Sequence, residues 1–191
     1  VAIIRTLNLI ILSGVLIFMT KCYSDLLEPY EGGQYKMYLE KIYNIYKEDL
    51  LNNGELQLKG KPVKLRHHPM YKEREESFYH LTHRKYDKNT FRQPDFKRCE
   101  RIRWIRKMIE NVGRCECCGV NIESCAGILI WIEKYKGSDR IHFYLENENF
   151  LLVIEKRTEY YLIISSFYVD YNKKSYYIKK YEDNKAEYSD I

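Results

Sequence analysis

The sequence predicts an α+β fold in which N-terminal helices pack on a four-stranded antiparallel meander and a C-terminal helix follows. Three observations predict this. Between Tyr35 and Asn111, the apolar residues of two long segments recur at intervals of three and four, the helical period. From Gly127 the period becomes two over four successive segments joined by short polar turns, as sequential antiparallel strands require. Helices placed before the strands, rather than between them, separate α+β from α/β. A chain of 191 residues fits one domain and can bury a core without disulfide staples.

Residues 1–22, VAIIRTLNLIILSGVLIFMTKC, form an apolar segment of their own. The uncharged run Leu7 to Met19 has 13 residues. A membrane-spanning helix needs about 20. The run suits the hydrophobic part of a signal peptide, yet Met-Thr-Lys-Cys is not a small-residue cleavage site. Translation from Met19 is the expected reading. It would leave residues 23–191 as a single cytoplasmic domain with no membrane contact.

In YKMYLEKIYNIYKEDLL, the residues Tyr35, Tyr38, Leu39, Ile42, Ile45, Tyr46 and Leu50 share one helical face, and Asn52-Asn53-Gly54 stops the helix. GELQLKGKPVKLRHHP alternates through Leu56, Leu58, Val63, Leu65 and His67, a β-ribbon turning near Gly60. His68 ends it, since the residue before Pro69 is pushed to extended geometry. ESFYHLTH fits either a strand or a single helical turn. PDFKRCERIRWIRKMIEN reads as one helix with Pro94 at its start and Phe96, Cys99, Ile102, Ile105 and Ile109 as its buried stripe. Arg98, Arg101 and Arg103 lie off that stripe, and Trp104 belongs to the core. GILIWIEKY, DRIHFYLE, NFLLVIEKR and EYYLIISSFYVDY are the strands, and Lys173 to Tyr188 the last, charged helix.

Charge is unevenly placed. Net charge is +5, but residues 57–107 carry 16 Lys+Arg against 6 Asp+Glu, while the remainder carries 16 against 21. A basic middle in an otherwise acidic chain suits a polyanion. The 19 tyrosines either fill amphipathic edges of the core or stack on bases. Four of the six cysteines sit in CECCGVNIESC. Zinc held by Cys115, Cys118 and Cys125 would need Cys99 or His142 as its fourth ligand, and adjacent Cys117 and Cys118 cannot easily share one tetrahedral ion. Reduced thiols are the favoured reading.

Four of the five histidines, His67, His68, His80 and His83, crowd into RHHPMYKEREESFYHLTH beside Arg66, Arg74 and Arg84. No HxxxH pair occurs on a predicted helix, which makes metal binding the weakest reading. RNA carries its own nucleophile, the 2′-hydroxyl. Its cleavage needs a base, an acid for the leaving 5′-oxygen, and cations on the phosphorane. Histidine suits proton transfer near neutral pH, and the planar arginine fork suits phosphate. The preferred proton-transfer pair is His80 with His68, whereas His67 and His83 read as surface charge. His80 also fits an ordinary interior position, and Arg101 and Arg103 also fit a helical ion network with Glu100 or Glu110. Ser165 and Ser166 point to opposite faces of their strand, so at most one faces the site; Ser166 shares its face with Tyr168.

Several stretches together resemble the phage-encoded branch of the barnase–EndoU–colicin–RelE-like nuclease superfamily. They are RHHP, ESFYHLT, RCERIRW and RIHFYLENENFLLVIEKRTEYYLIISSFYVDY, with EPYEGGQYKMYLEKIYNIYKEDL similar to the family's N-terminal helix. The resemblance runs over residues 25–185, and RCERIRW is its most specific piece. A Phe-Trp-His motif falls on Phe78-Tyr79-His80 with tyrosine for tryptophan. Arg-Cys-Glu-Arg-Ile-Arg-Trp falls unchanged on Arg98 to Trp104, and a Thr-Ala-Tyr motif falls on Ser165-Ser166-Phe167. Serine keeps the hydroxyl there, while phenylalanine loses the phenol that Tyr168 carries one residue later. The resemblance implies a metal-independent endoribonuclease without cofactor, cutting RNA through a 2′,3′-cyclic phosphate in the host cytoplasm. Its catalytic residues would be His80, His68, Arg101, Arg103, Ser165 and Tyr168, and a neutralising protein partner is compatible with it. The alternative is a binding module for nucleic acid or protein on the same fold.

Overall fold

A computed structural model describes residues 11–12, 15–16, 23–85, 91–113 and 128–191. Met19, Cys22, Cys115, Cys117, Cys118 and Cys125 lie outside the described residues. Ile11–Leu12 (β1) pairs antiparallel with Val15–Leu16 (β2). No helix among the described residues is long and apolar enough to cross a membrane.

Tyr35–Tyr46 is a helix (α1) that continues as π-helix over Lys47–Asn52, and its predicted stripe buries Tyr38, Leu39, Ile42, Ile45 and Tyr46. Gln57–Leu58 (β3) and Lys61–Lys64 (β4) form the expected ribbon. Lys59 and Gly60 both take positive φ, 49° and 74°, the geometry of a two-residue hairpin turn. The ambiguous ESFYHLTH resolves into a helix, Glu76–Thr82 (α2), followed by His83–Arg84 (β5) paired with Gln93–Pro94 (β6).

The predicted single helix after Pro94 is two. Asp95 caps the first, Phe96–Cys99 (α3), accepting a hydrogen bond from Arg98 N at 3.3 Å, and Ile102–Asn111 (α4) follows. The break has a local cause. The carbonyl of Glu100 accepts from Glu28 N at 2.8 Å and that of Lys97 from the Arg101 guanidinium at 3.0 Å, while Arg101 N and Trp104 N donate to the i−3 carbonyls of Arg98 and Arg101 at 3.2 and 3.0 Å.

Ile128–Tyr135 (β7), Ser138–Leu145 (β8), Phe150–Lys156 (β9) and Tyr161–Tyr168 (β10) are the four predicted strands, antiparallel in succession. The sheet, however, is not a four-stranded antiparallel meander. It has six strands in the order β3-β4-β10-β9-β8-β7, because β4 adds parallel to β10 at Tyr161↔Val63 and Leu162↔Lys64. The ribbon had to be placed somewhere to bury Leu58 and Leu65, and the free edge of β10 receives it. The architecture is therefore α+β with a mixed sheet.

One sheet face packs on α1, α2 and α4. Ile42, Tyr46, Phe78, Ile102 and Trp104 meet Ile141, Phe143, Phe150, Leu152 and Ile154 in the main core. Fully burying one such side chain contributes about 1.5–3 kcal/mol. The other face carries Trp131, Tyr144, Leu151, Val153 and Val169 under Tyr177, Ile178 and Tyr181 of the last helix, Lys174–Asn184 (α5).

Candidate active site

β4 accompanies β10 only at its first two residues, so from Ile163 onward the outer edge of β10 is met by α2 and α3 instead of a strand. Register between β10 and β9 shifts between Ile163 and Ser165, a β-bulge with Ile164 as the extra residue. Ser165 is thereby turned to the α2 edge. Its Oγ lies 3.4 Å from the His80 carbonyl, and Arg98 Nη1 lies 3.1 Å from the same carbonyl and 3.5 Å from that Oγ. Ser166 is fully buried.

His80 sits in the last turn of α2 with its side chain 29% exposed. Arg92 Nη2 approaches both ring nitrogens, 3.2 Å from Nε2 and 3.5 Å from Nδ1. Glu76, one turn earlier, places Oε1 3.4 Å from Nε2 and Oε2 3.5 Å from Arg66 Nη1. Burial, then the Arg92 charge, hold the imidazole below its ordinary pKa against the pull of Glu76, so the neutral ring is favoured. Asp95 faces two guanidiniums, Arg98 Nε at 3.4 Å and Arg84 Nε at 3.6 Å. Burial and the neighbouring Arg92 and Arg84 push Arg98 below its usual pKa despite Asp95, and burial lowers Arg92.

The other expected site residues fall in different places. His68 is exposed on the loop after β4, and that loop meets α2 where Glu76 N and Ser77 N donate to the carbonyls of His67 and Arg66 at 3.4 and 3.1 Å. Arg66 and His67 are thus held at the first turn of α2, and His80 belongs to the next. Tyr168 lies on the helical side of β10, with Lys97 Nζ 4.0 Å and Arg101 Cζ 5.0 Å from its ring centre. Arg101 also pairs with Glu100 and lies over Trp104. Arg103 belongs to a separate cluster, with Nε 2.7 Å from Glu28 and Nη1 3.2 Å from both oxygens of Asp49. His83 is not surface charge. It is 5% exposed, its Nδ1 lies 2.7 Å from Thr82 Oγ1, and burial pushes it down to about 4.

Sequence reading missed Arg92, Glu76 and Asp95 and gave Arg98 no site role. A signal existed for one of them: Glu76 and His80 are spaced i, i+4, which matters once ESFYHLT is helical.

Among the described residues, no group of three His, Cys, Asp or Glu side chains is placed to hold a metal ion. A hollow of about 280 Å³ lies beneath α5, lined by Glu133, His142, Ser165, Phe167, Tyr177 and Lys180 among others. Glu133 gathers most of its polar groups, while the buried Nδ1 of His142 has no hydrogen-bond partner. Glu133 accepts from Trp131 Nε1 at 3.1 Å, pairs with Lys180, and stands 3.6 Å from His142 Nε2. His142 stacks on Trp131 at 4.7 Å.

No family model, curated protein or solved structure matches the chain.

Proposed function

We propose that the protein is a metal-independent endoribonuclease of phage type. The observation that carries this reading is the half-buried imidazole of His80, held toward its neutral form beside Arg92 and Arg98 where α2 meets the edge of β10. A neutral imidazole can take a proton, and guanidiniums with few carboxylates to satisfy them can bind phosphate.

In this mechanism an RNA phosphate draws Arg92 off the ring. His80 then accepts the 2′-hydroxyl proton as the 2′-oxygen bonds to phosphorus. Arg92 and Arg98 stabilise the charge on the phosphorane oxygens. The P–O5′ bond breaks, and His68 gives a proton to the leaving oxygen. The products are a 2′,3′-cyclic phosphate and a 5′-hydroxyl end. Glu76 orients His80, Ser165 fixes the edge against which Arg98 lies, and Lys97 and Arg101 at Tyr168 hold the flanking backbone.

Both ring nitrogens of His80 are already approached by Arg92, and this favours a second reading, an RNA-binding module without chemistry. Incubation with mixed-sequence RNA and matched DNA in EDTA separates the two. Fragments with cyclic phosphate ends from the wild type, and none from His80→Ala, are expected. Intact RNA with salt-sensitive binding retained would sink the enzyme reading.

A further inference from the structure

Beside His80 the surface carries aromatic rings that no core claims. Phe91 is 76% exposed and Tyr71 45%, and the two lie nearly parallel, 18° apart, with centroids 6.3 Å apart. Large apolar side chains paired this way in water need a reason, because each would be better buried.

The mount is rigid. Tyr71 and Arg74 exchange backbone hydrogen bonds at 2.9 and 3.0 Å across a turn in which Lys72 and Glu73 both take positive φ, 47° and 60°. Two successive non-glycine residues in the left-handed region are strained, and such strain persists where surrounding contacts over-determine it. Those contacts are present. The Tyr79 hydroxyl donates to the Tyr71 carbonyl at 2.9 Å, and the two rings meet edge-on at 5.3 Å. Arg74 pairs with Glu40 and lies over the rings of Tyr43 and Phe78 at 4.7 and 5.3 Å. Tyr71 is therefore held out rather than left out.

The position is also specific. Phe91 precedes Arg92, whose guanidinium touches His80, and Tyr79 precedes His80 itself. Ring faces thus stand beside an arginine and an imidazole along this surface, and ring faces next to cations are the pattern by which proteins hold unpaired nucleotides. A duplex keeps its base faces stacked and cannot offer them to such rings.

We propose that Tyr71 and Phe91 form a stacking platform for an unpaired base of single-stranded RNA, setting the strand so that its phosphate meets Arg92 at His80. The inference rests on the nuclease reading for its substrate, but its test does not depend on cleavage. A labelled 2′-O-methyl RNA of about 12 nucleotides lacks the nucleophile and stays intact. Its affinity, and that of the same strand annealed to its complement, would be measured by fluorescence anisotropy for the full chain and for Phe91→Ala, Phe91→Leu and Phe91→Trp.

The single strand should bind at least about tenfold more tightly than the duplex. Phe91→Ala and Phe91→Leu should each weaken single-strand binding by about tenfold, and Phe91→Trp should preserve it. Equal affinity for strand and duplex overturns the proposal. So does full affinity in Phe91→Leu, which would mark an apolar dock of the kind a protein partner uses. Ring-dependent binding with natural RNA left uncut would keep the platform and discard the nuclease. Cleavage unaffected by Phe91→Leu would do the reverse.

Discussion

Two clusters of charge flank α3 and α4, and they are built oppositely. Around Arg103, one guanidinium is surrounded by Glu28, Asp49 and, at 3.8 Å, Glu48. Burial works against its charge, yet hydrogen bonds and attraction from those carboxylates raise its pKa overall. Around His80 the ratio is reversed. Among the described residues, Arg66, Arg92 and Arg98 have Glu76 and Asp95 near them, and Arg92 and Arg98 are both held below their usual pKa, chiefly by burial. A cation whose charge is neutralised holds helices together. Cations in excess repel one another and are relieved by an incoming anion. The first arrangement serves the fold, and the second is the one that the proposed nuclease would offer to phosphate.

The largest effect expected from that difference is on turnover. Arg92→Gln should lower RNA cleavage by about a hundredfold to a thousandfold, the scale of losing one preorganised donor to a developing anion. Its folding stability should be unchanged or slightly higher, because a repelling charge has gone. Single-turnover kinetics and a urea melt on the same preparation would test both. Weakened folding with cleavage intact would make Arg92 a structural cation and erase the contrast with Arg103.

How much of this was legible in the sequence depended on how local each feature is. The hairpin at Lys136-Gly137 was readable because two left-handed residues, φ 49° and 83°, follow directly from turn chemistry. The strands β7 to β10 were readable from their period. The parallel pairing of Val63 with Tyr161 was not, since nothing in either segment names a partner so distant in sequence. Helix α2 has seven residues, too few turns for a period to be counted. That ambiguity hid the Glu76–His80 pair. His83 was misread for a related reason: its burial comes from Phe78, Tyr79 and Thr82 closing over it, a result of packing and not of its own polarity. The resemblance drew attention to Arg101 and Arg103 within RCERIRW. The geometry draws it to Arg98, in the same motif, and to Arg92, outside it.

A proton can test the cation-rich side without touching the site. His83 titrates near 4 when folded, through burial and the charges of Arg74, Arg92 and Arg98, whereas an unfolded histidine titrates near 6.5. Between those values the unfolded chain binds a proton that the folded chain refuses. Stability is therefore full above about pH 6.5 and falls as pH drops toward about 4, by about 3 kcal/mol from this residue. His83→Phe keeps the ring packed against Phe78 and Tyr79, and Thr82 Oγ1 still donates to the Phe78 carbonyl at 2.6 Å. Urea midpoints across this range should fall less steeply in His83→Phe than in the wild type. Equal slopes would mean that His83 protonates without opposition and that the surrounding cations are screened.

The smallest effect belongs to the neutralised cluster, and it is the one that separates motif from geometry. Arg103→Gln removes a side chain that is 29% exposed, so its loss costs less than breaking a fully buried pair. Lys41 still pairs with Glu28 at 2.7 Å, and Arg106 still donates to the Asp49 carbonyl at 2.8 Å. What remains uncompensated is the Asp49 carboxylate, whose pKa burial already raises even with Arg103 in place. About 2 kcal/mol of stability should be lost, read as a lower urea midpoint, with cleavage at the wild-type rate when folded protein is compared. Lost cleavage at unchanged stability would return Arg103 to the phosphate. It would also mean that an arginine saturated with carboxylates can still serve an anion, contrary to the distinction drawn between the two clusters.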